Sequence, residues 1–178
     1  MSPSIPWLPP LVLQEDYDGY KEFFDAVYGY FVDDFIKSVP SFNRRKVKSK
    51  RHVAYDGKDH SFWHCIEESC EGEVQSEENR VPKLSLCERI RWPRPVIENA
   101  ISDTGVLAWK ETRRGRGTKE RVHILLEDEG YVVVLDPRGK DEETGEPKYY
   151  FLWTTFICDS PRRLEQMRRR CQKSGKMY

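Results

Sequence analysis

Tyr149-Tyr150-Phe151-Leu152-Trp153-Thr154-Thr155-Phe156-Ile157 is a run dominated by aromatic and β-branched residues, and its reading decides the fold. Side chains of this kind fit the pleated surface of a sheet, so the run reads as a strand. Tyr131-Val132-Val133-Val134-Leu135, Val122-His123-Ile124-Leu125-Leu126 and Val106-Leu107-Ala108-Trp109 have the same character. The intervening segments 113–119, 127–130 and 136–147 are polar and read as turns or hairpin loops, which favours antiparallel pairing over crossovers. The expected sheet therefore has four antiparallel strands within residues 104–157.

Upstream the period changes. Tyr20, Phe24, Val27, Tyr28, Phe31 and Phe35 recur at spacings of three and four, predicting a helix from about Asp16 to Lys37 that Pro40 ends. A second helix is expected from Asp59 or Ser61 to Ser69, and a third, shorter one around Leu84, Leu86, Cys87 and Ile90. Pro93 and Pro95 interrupt it, with Pro95 placed to open a further turn. Residues 43–55 read as a basic, possibly stranded connection, and 72–82 as an acidic surface loop. Pro161 introduces a basic helix over 162–173. The expectation is an α+β domain: an extended arm at 1–15, N-terminal helices over 16–100, the four-stranded antiparallel sheet and a C-terminal helix.

The chain has 178 residues, enough for one well-cored domain. Five cysteines without a CxxC pair, and no basic-then-apolar leader at the start, point to a reduced, cytoplasmic protein. No apolar run approaches the roughly 20 residues needed to span a bilayer, so no membrane partner is expected. Thirty basic and thirty acidic side chains cancel in total but segregate along the chain. Basic groups fall at 44–51, 113–121 and 162–173, and an acidic one at 67–78. Three basic clusters converging after folding would make a field suited to phosphates.

His60 and His64 stand one helical turn apart, but a third ligand is missing and the cysteines lack metal-site spacing, so neither metal nor cofactor is expected. Glycine-rich nucleotide loops and hydrolase elbows are absent from the sequence. A ribonuclease that works without metal needs a proton acceptor for the 2′-hydroxyl, cations for the phosphorane and a donor at the leaving oxygen. His64 can shuttle protons, and Arg89, Arg91, Arg94, Arg114 and Arg121 can clamp phosphate. Tyr150 and Thr154, an even number apart, are expected on one face of the last strand, with Trp153 and Thr155 opposite.

Several of these residues sit in longer strings. Gly57-Lys58-Asp59-His60-Ser61-Phe62-Trp63-His64, then Cys87-Glu88-Arg89-Ile90-Arg91-Trp92-Pro93-Arg94-Pro95-Val96-Ile97-Glu98-Asn99, Tyr131 to Leu135, and Tyr150-Phe151-Leu152-Trp153-Thr154 resemble a family of phage-associated proteins, a phage branch of the barnase/EndoU/colicin/RelE-like nucleases. The resemblance implies a metal-independent endoribonuclease, in the manner of a toxin or phage-defence effector, with RNA as substrate and an inhibitory protein as a candidate partner. The resemblance carries over His64, Arg89, Arg91, Arg114, Trp153 and Thr154; joined to the residue chemistry above, the expected catalytic set is His64, Arg91, Arg114, Tyr150 and Thr154, with Arg89, Arg94, Arg121, Trp92 and Trp153 binding nucleic acid. The long acidic link at 139–148 departs from the short connection expected between the last strands. The alternative is a module that binds nucleic acid or a phage protein without cleaving it.

Overall fold

The computed structural model describes residues 5–52, 55–67, 81–115 and 117–175, the side chains of 113–118 excepted. Helix α1, Tyr20–Val32, runs into a π-helical turn at Asp33–Lys37. Phe23, Val27, Phe31 and Phe35 form its buried stripe, whereas Tyr20 is 50% exposed. The buried stripe thus begins at Phe23, one turn later than the spacing from Tyr20 implied. Ahead of α1 the arm packs through its indole: Trp7 Nε1 donates to Asp103 Oδ2 at 2.8 Å, and Leu8 and Val12 are buried.

Strands β1, Ser41–Phe42, and β2, Arg45–Ser49, follow. Next come α2, His60–Ile66; α3, Leu84–Cys87; and α4, Pro93–Asn99, which starts on Pro93 and not on Pro95. The second half holds β3, Val106–Gly115; β4, Gly117–Leu126; β5, Tyr131–Arg138; β6, Tyr149–Ile157; and α5, Pro161–Ser174. Pro161 occupies the first turn of α5, where its missing N–H costs nothing, and Ser160 caps the helix by accepting from Arg163 N–H.

The class is α+β, but the sheet is larger and more mixed than four antiparallel strands. Six strands lie in the order β1-β2-β6-β5-β4-β3. β2 pairs parallel with β6 through Val47↔Tyr150, Lys48↔Phe151 and Ser49↔Leu152, and every other pairing is antiparallel. Strand β2 hides from a hydrophobic pattern because Val47 is its only fully buried residue. The β3–β4 hairpin also reaches further than expected: its backbone pairs through Arg114↔Thr118, so 113–119 is mostly strand. Charged side chains there carry no alternation; just before the tip, Lys110 Nζ reaches Glu120 diagonally across the ladder at 3.6 Å.

One sheet face, including Val106, Val122, Ile124, Tyr131, Val133, Leu135, Tyr150 and Leu152, shares a single core with α1 to α4. The opposite face packs Trp109, Leu125, Val132 and Val134 against Met167 and Cys171 of α5. A register shift between Val134 and Leu135 sets Thr154 opposite Val134 and Leu152 opposite Leu135, leaving Trp153 as the extra residue of a β-bulge. The bulge breaks simple alternation, so Tyr150 and Thr154 lie on opposite faces of the sheet and not on one. Among the described residues, no helix is long and apolar enough to cross a membrane.

Candidate nucleic-acid interface

Helix α5 covers only part of its sheet face. Beyond it, the first half of β6 presents Tyr149, Phe151 and Trp153 on that side, each partly exposed. Their neighbours are cations. Lys48 Nζ lies 4.4 Å from the Tyr149 ring centre and the Arg138 guanidinium 5.6 Å from that of Phe151. Arg121 and Lys50 stand over Trp153 at 4.4 and 5.4 Å. Both of the first two contacts are diagonal across the ladders: Lys48 of β2 is directly opposite Phe151 and reaches Tyr149, and Arg138 of β5 is directly opposite Tyr149 and reaches Phe151. Cation–π attraction holds each charge near a ring.

Asp136 anchors two of these cations. Its carboxylate is 3% exposed and accepts from Arg121 Nη1 at 2.5 Å through Oδ1, while Arg138 donates to Oδ2 through both Nε, at 2.8 Å, and Nη2. A buried charge held this way fixes the direction of both guanidiniums.

Helix α2 brings the histidines to the same place because its residues face three ways. Phe62 and Trp63 pack on α1 through Phe24, Tyr28 and Phe31. Ser61, fully buried, splices α2 into the gap where β2 and β6 part: its Oγ accepts from Lys50 N–H at 2.7 Å and donates to the Leu152 carbonyl at 2.6 Å. His60 and His64 remain on the third side, beside Trp153. Their Nε2 atoms are 3.1 Å apart, and the His64 ring stacks on the Trp153 indole at 5.9 Å with 21° between planes. A hydrogen bond between two imidazole nitrogens needs a lone pair on one of them, so at least one ring is neutral. Thr154 Oγ1 donates to the His64 carbonyl at 2.7 Å, and Thr155 Oγ1 to that of Cys65 at 2.8 Å. Thr154 therefore positions α2.

Of the residues singled out in the sequence, His64, Thr154, Trp153 and Arg121 come together here. Tyr150 is fully buried and edge-on to Phe42 in the helix-side core. Trp92 is 2% exposed, donates to the Pro9 carbonyl and meets Tyr131 edge-on. The three arginines around it are engaged among the helices: Arg89 lies over Trp92 and donates to the Ser85 carbonyl, and Arg91 lies over Tyr30. Arg94 holds the end of the π-helical turn through the Asp34 carbonyl and Ser38 Oγ. The side chain of Arg114 lies outside the described residues, as does the acidic stretch 68–80. The 139–148 link folds on itself, Asp141 accepting from the Glu143 and Thr144 amides, and ties to β2 through Arg45 at 3.3 Å.

Tyr149, Phe151, Arg138 and Asp136 escaped the sequence reading as site residues, and Lys48 and Lys50 entered it only as members of the basic group 44–51. One signal for the rings was present: β6 is apolar at both odd and even positions, which marks a strand with two occupied faces. Searches against protein-family profiles, curated proteins and solved structures find no match for this chain.

Proposed function

We propose that this protein binds RNA on the exposed part of the α5-side sheet face. The observation that carries the reading is the set of four cation–aromatic contacts on one surface, Lys48–Tyr149, Arg138–Phe151, Arg121–Trp153 and Lys50–Trp153. Aromatic rings supply stacking for bases and the interleaved cations neutralise phosphates, a pairing that grips a single strand with little regard to sequence. Four phosphate contacts correspond to a log–log salt slope of about −3 for a single strand. Fluorescence-anisotropy titrations of a labelled single-stranded RNA between low and moderate salt should give that slope. The double variant Lys48→Gln with Lys50→Gln should flatten it by about 1 to 1.5. A slope near zero in the unaltered protein would remove the proposal.

The His60–His64 pair favours a second reading, cleavage, in line with the nuclease resemblance. One imidazole would take the 2′-hydroxyl proton as the 2′-oxygen attacks phosphorus; the 5′-oxygen leaves with a proton from the other imidazole, yielding a 2′,3′-cyclic phosphate and a 5′-hydroxyl. Arg121 and Lys50 would carry the charge of the phosphorane. Incubation with total RNA in EDTA should yield cyclic-phosphate ends that His64→Ala abolishes. Ends that persist in that variant, or that require added divalent metal, would exclude this chemistry and leave the binding proposal standing.

A further inference from the structure

We infer that β6 accepts an unpaired strand in consecutive subsites: one base against Tyr149 with Lys48, the next against Phe151 with Arg138, and the following phosphate at the Lys50, Arg121, His60 and His64 cluster. The inference rests on the RNA-binding proposal and specifies the ligand further. Successive bases along one strand of a duplex lie parallel at a repeat of about 3.4 Å, whereas the Tyr149 and Phe151 ring centres are 5.3 Å apart. Stacked, paired bases cannot match that interval. Bases that have come apart can, and aromatic side chains recognise RNA in that unstacked state.

Different surroundings give the three positions different roles. Tyr149 and Phe151 meet edge to face, 5.3 Å between centres at 83°, so their planes do not lie on one another. The cations beside them, Lys48 and Arg138, are exposed. Trp153 is more enclosed, with Arg121 at 4.4 Å and the near-parallel His64 ring at 5.9 Å. That position offers protonatable and charged groups where the first two offer rings, which suits a phosphate better than a base. The β-bulge at Trp153 contributes to this change by turning the strand where α2 replaces β2 as the neighbour. Charge complementarity singles out a polyanion, and the ring spacing singles out one that carries separated planar groups.

The test is a length series of labelled oligouridines from one to six nucleotides, with a duplex of equal charge and poly-glutamate as competitors against the full-length protein. Three nucleotides are the shortest ligand that fills both ring subsites and the phosphate position. Affinity should rise steeply up to three and only shallowly beyond. Tyr149→Leu and Phe151→Leu keep apolar bulk but remove the rings. Each should cut trinucleotide affinity by about 5- to 150-fold, the worth of one base–aromatic stack, while leaving inorganic phosphate binding, which engages neither ring, unchanged. Unaltered melting midpoints in the two variants would confirm that their folds are intact. A smooth rise with length, insensitivity to both leucine variants, or equal binding of duplex or poly-glutamate would overturn the subsite assignment while RNA binding stood. No binding at any length would overturn both.

Discussion

Asp136→Ala is expected to lower unfolding stability by about 3 kcal/mol, the lower end of what breaking a buried ion pair costs. The Asp136 side chain is only 4% exposed and the Arg121 side chain 13%, so removing the carboxylate leaves the Arg121 charge buried without its counter-charge. Arg138, at 43%, regains water more readily, which keeps the loss near the lower bound. Urea denaturation should show the shifted midpoint with an unchanged slope. The same substitution should weaken single-stranded RNA binding, because Arg121 and Arg138 lose the partner that directs them over Trp153 and Phe151. Asp136→Asn retains the volume and an accepting oxygen, so recovery of stability without recovery of binding would separate the two roles. A stability loss under about 1 kcal/mol for Asp136→Ala would show that the carboxylate is not holding the two cations.

Acid should weaken the attachment of α5 to the sheet. Glu111 sits on β3 under that helix, with its side chain 13% exposed, and accepts from Arg170 Nε at 2.6 Å, from Arg170 Nη2 and from Trp109 Nε1 at 2.8 Å. Burial alone would raise its pKa; the hydrogen bonds from Arg170 and Trp109, with the nearby charges, outweigh it and hold the group down to about 2. A carboxylate depressed in the folded state stabilises fully above its ordinary value near 4.5 and loses that contribution as pH falls toward 2. The contribution is at most about 3.5 kcal/mol, from roughly 1.4 kcal/mol per pKa unit. Native-state stability should therefore decline between pH 4.5 and 2. Glu111→Gln should flatten that decline while lowering stability at pH 7, and an unchanged acid profile in this variant would exclude Glu111 as its origin. His123, stacked on Trp109 at 5.4 Å and 3.9 Å from Glu111 Oε2, packs in the same region.

The two halves of the candidate surface differ in how legible they are. Trp153 and Arg121 stand out as an aromatic in the last strand and a cation in a basic group, and His64 as a residue type that can shuttle protons. Arg89, Arg91 and Arg94 look equally eligible as a string. They are drawn instead to the Ser85 and Asp34 carbonyls and to the rings of Trp92 and Tyr30, because α3 and α4 pack into the helical layer. Guanidiniums bind carbonyls and aromatic faces as readily as phosphates, so residue type alone does not sort them.

Local pattern by itself determined the α+β class, the helix carrying Val27 and Phe31, the four strands of the second half and the start of α5 after Ser160, since each depends on periodicity or capping among near neighbours. Tertiary structure alone decided the insertion of β2 beside β6, the bulge at Trp153 and the meeting of Lys48, Lys50 and Arg138 with the β6 rings. Lys48 and Lys50 depend on pairing between segments about a hundred residues apart, and the bulge and Arg138 on the register of β5 against β6; a slip of one residue in either pairing would send the paired strand's side chains to the other face.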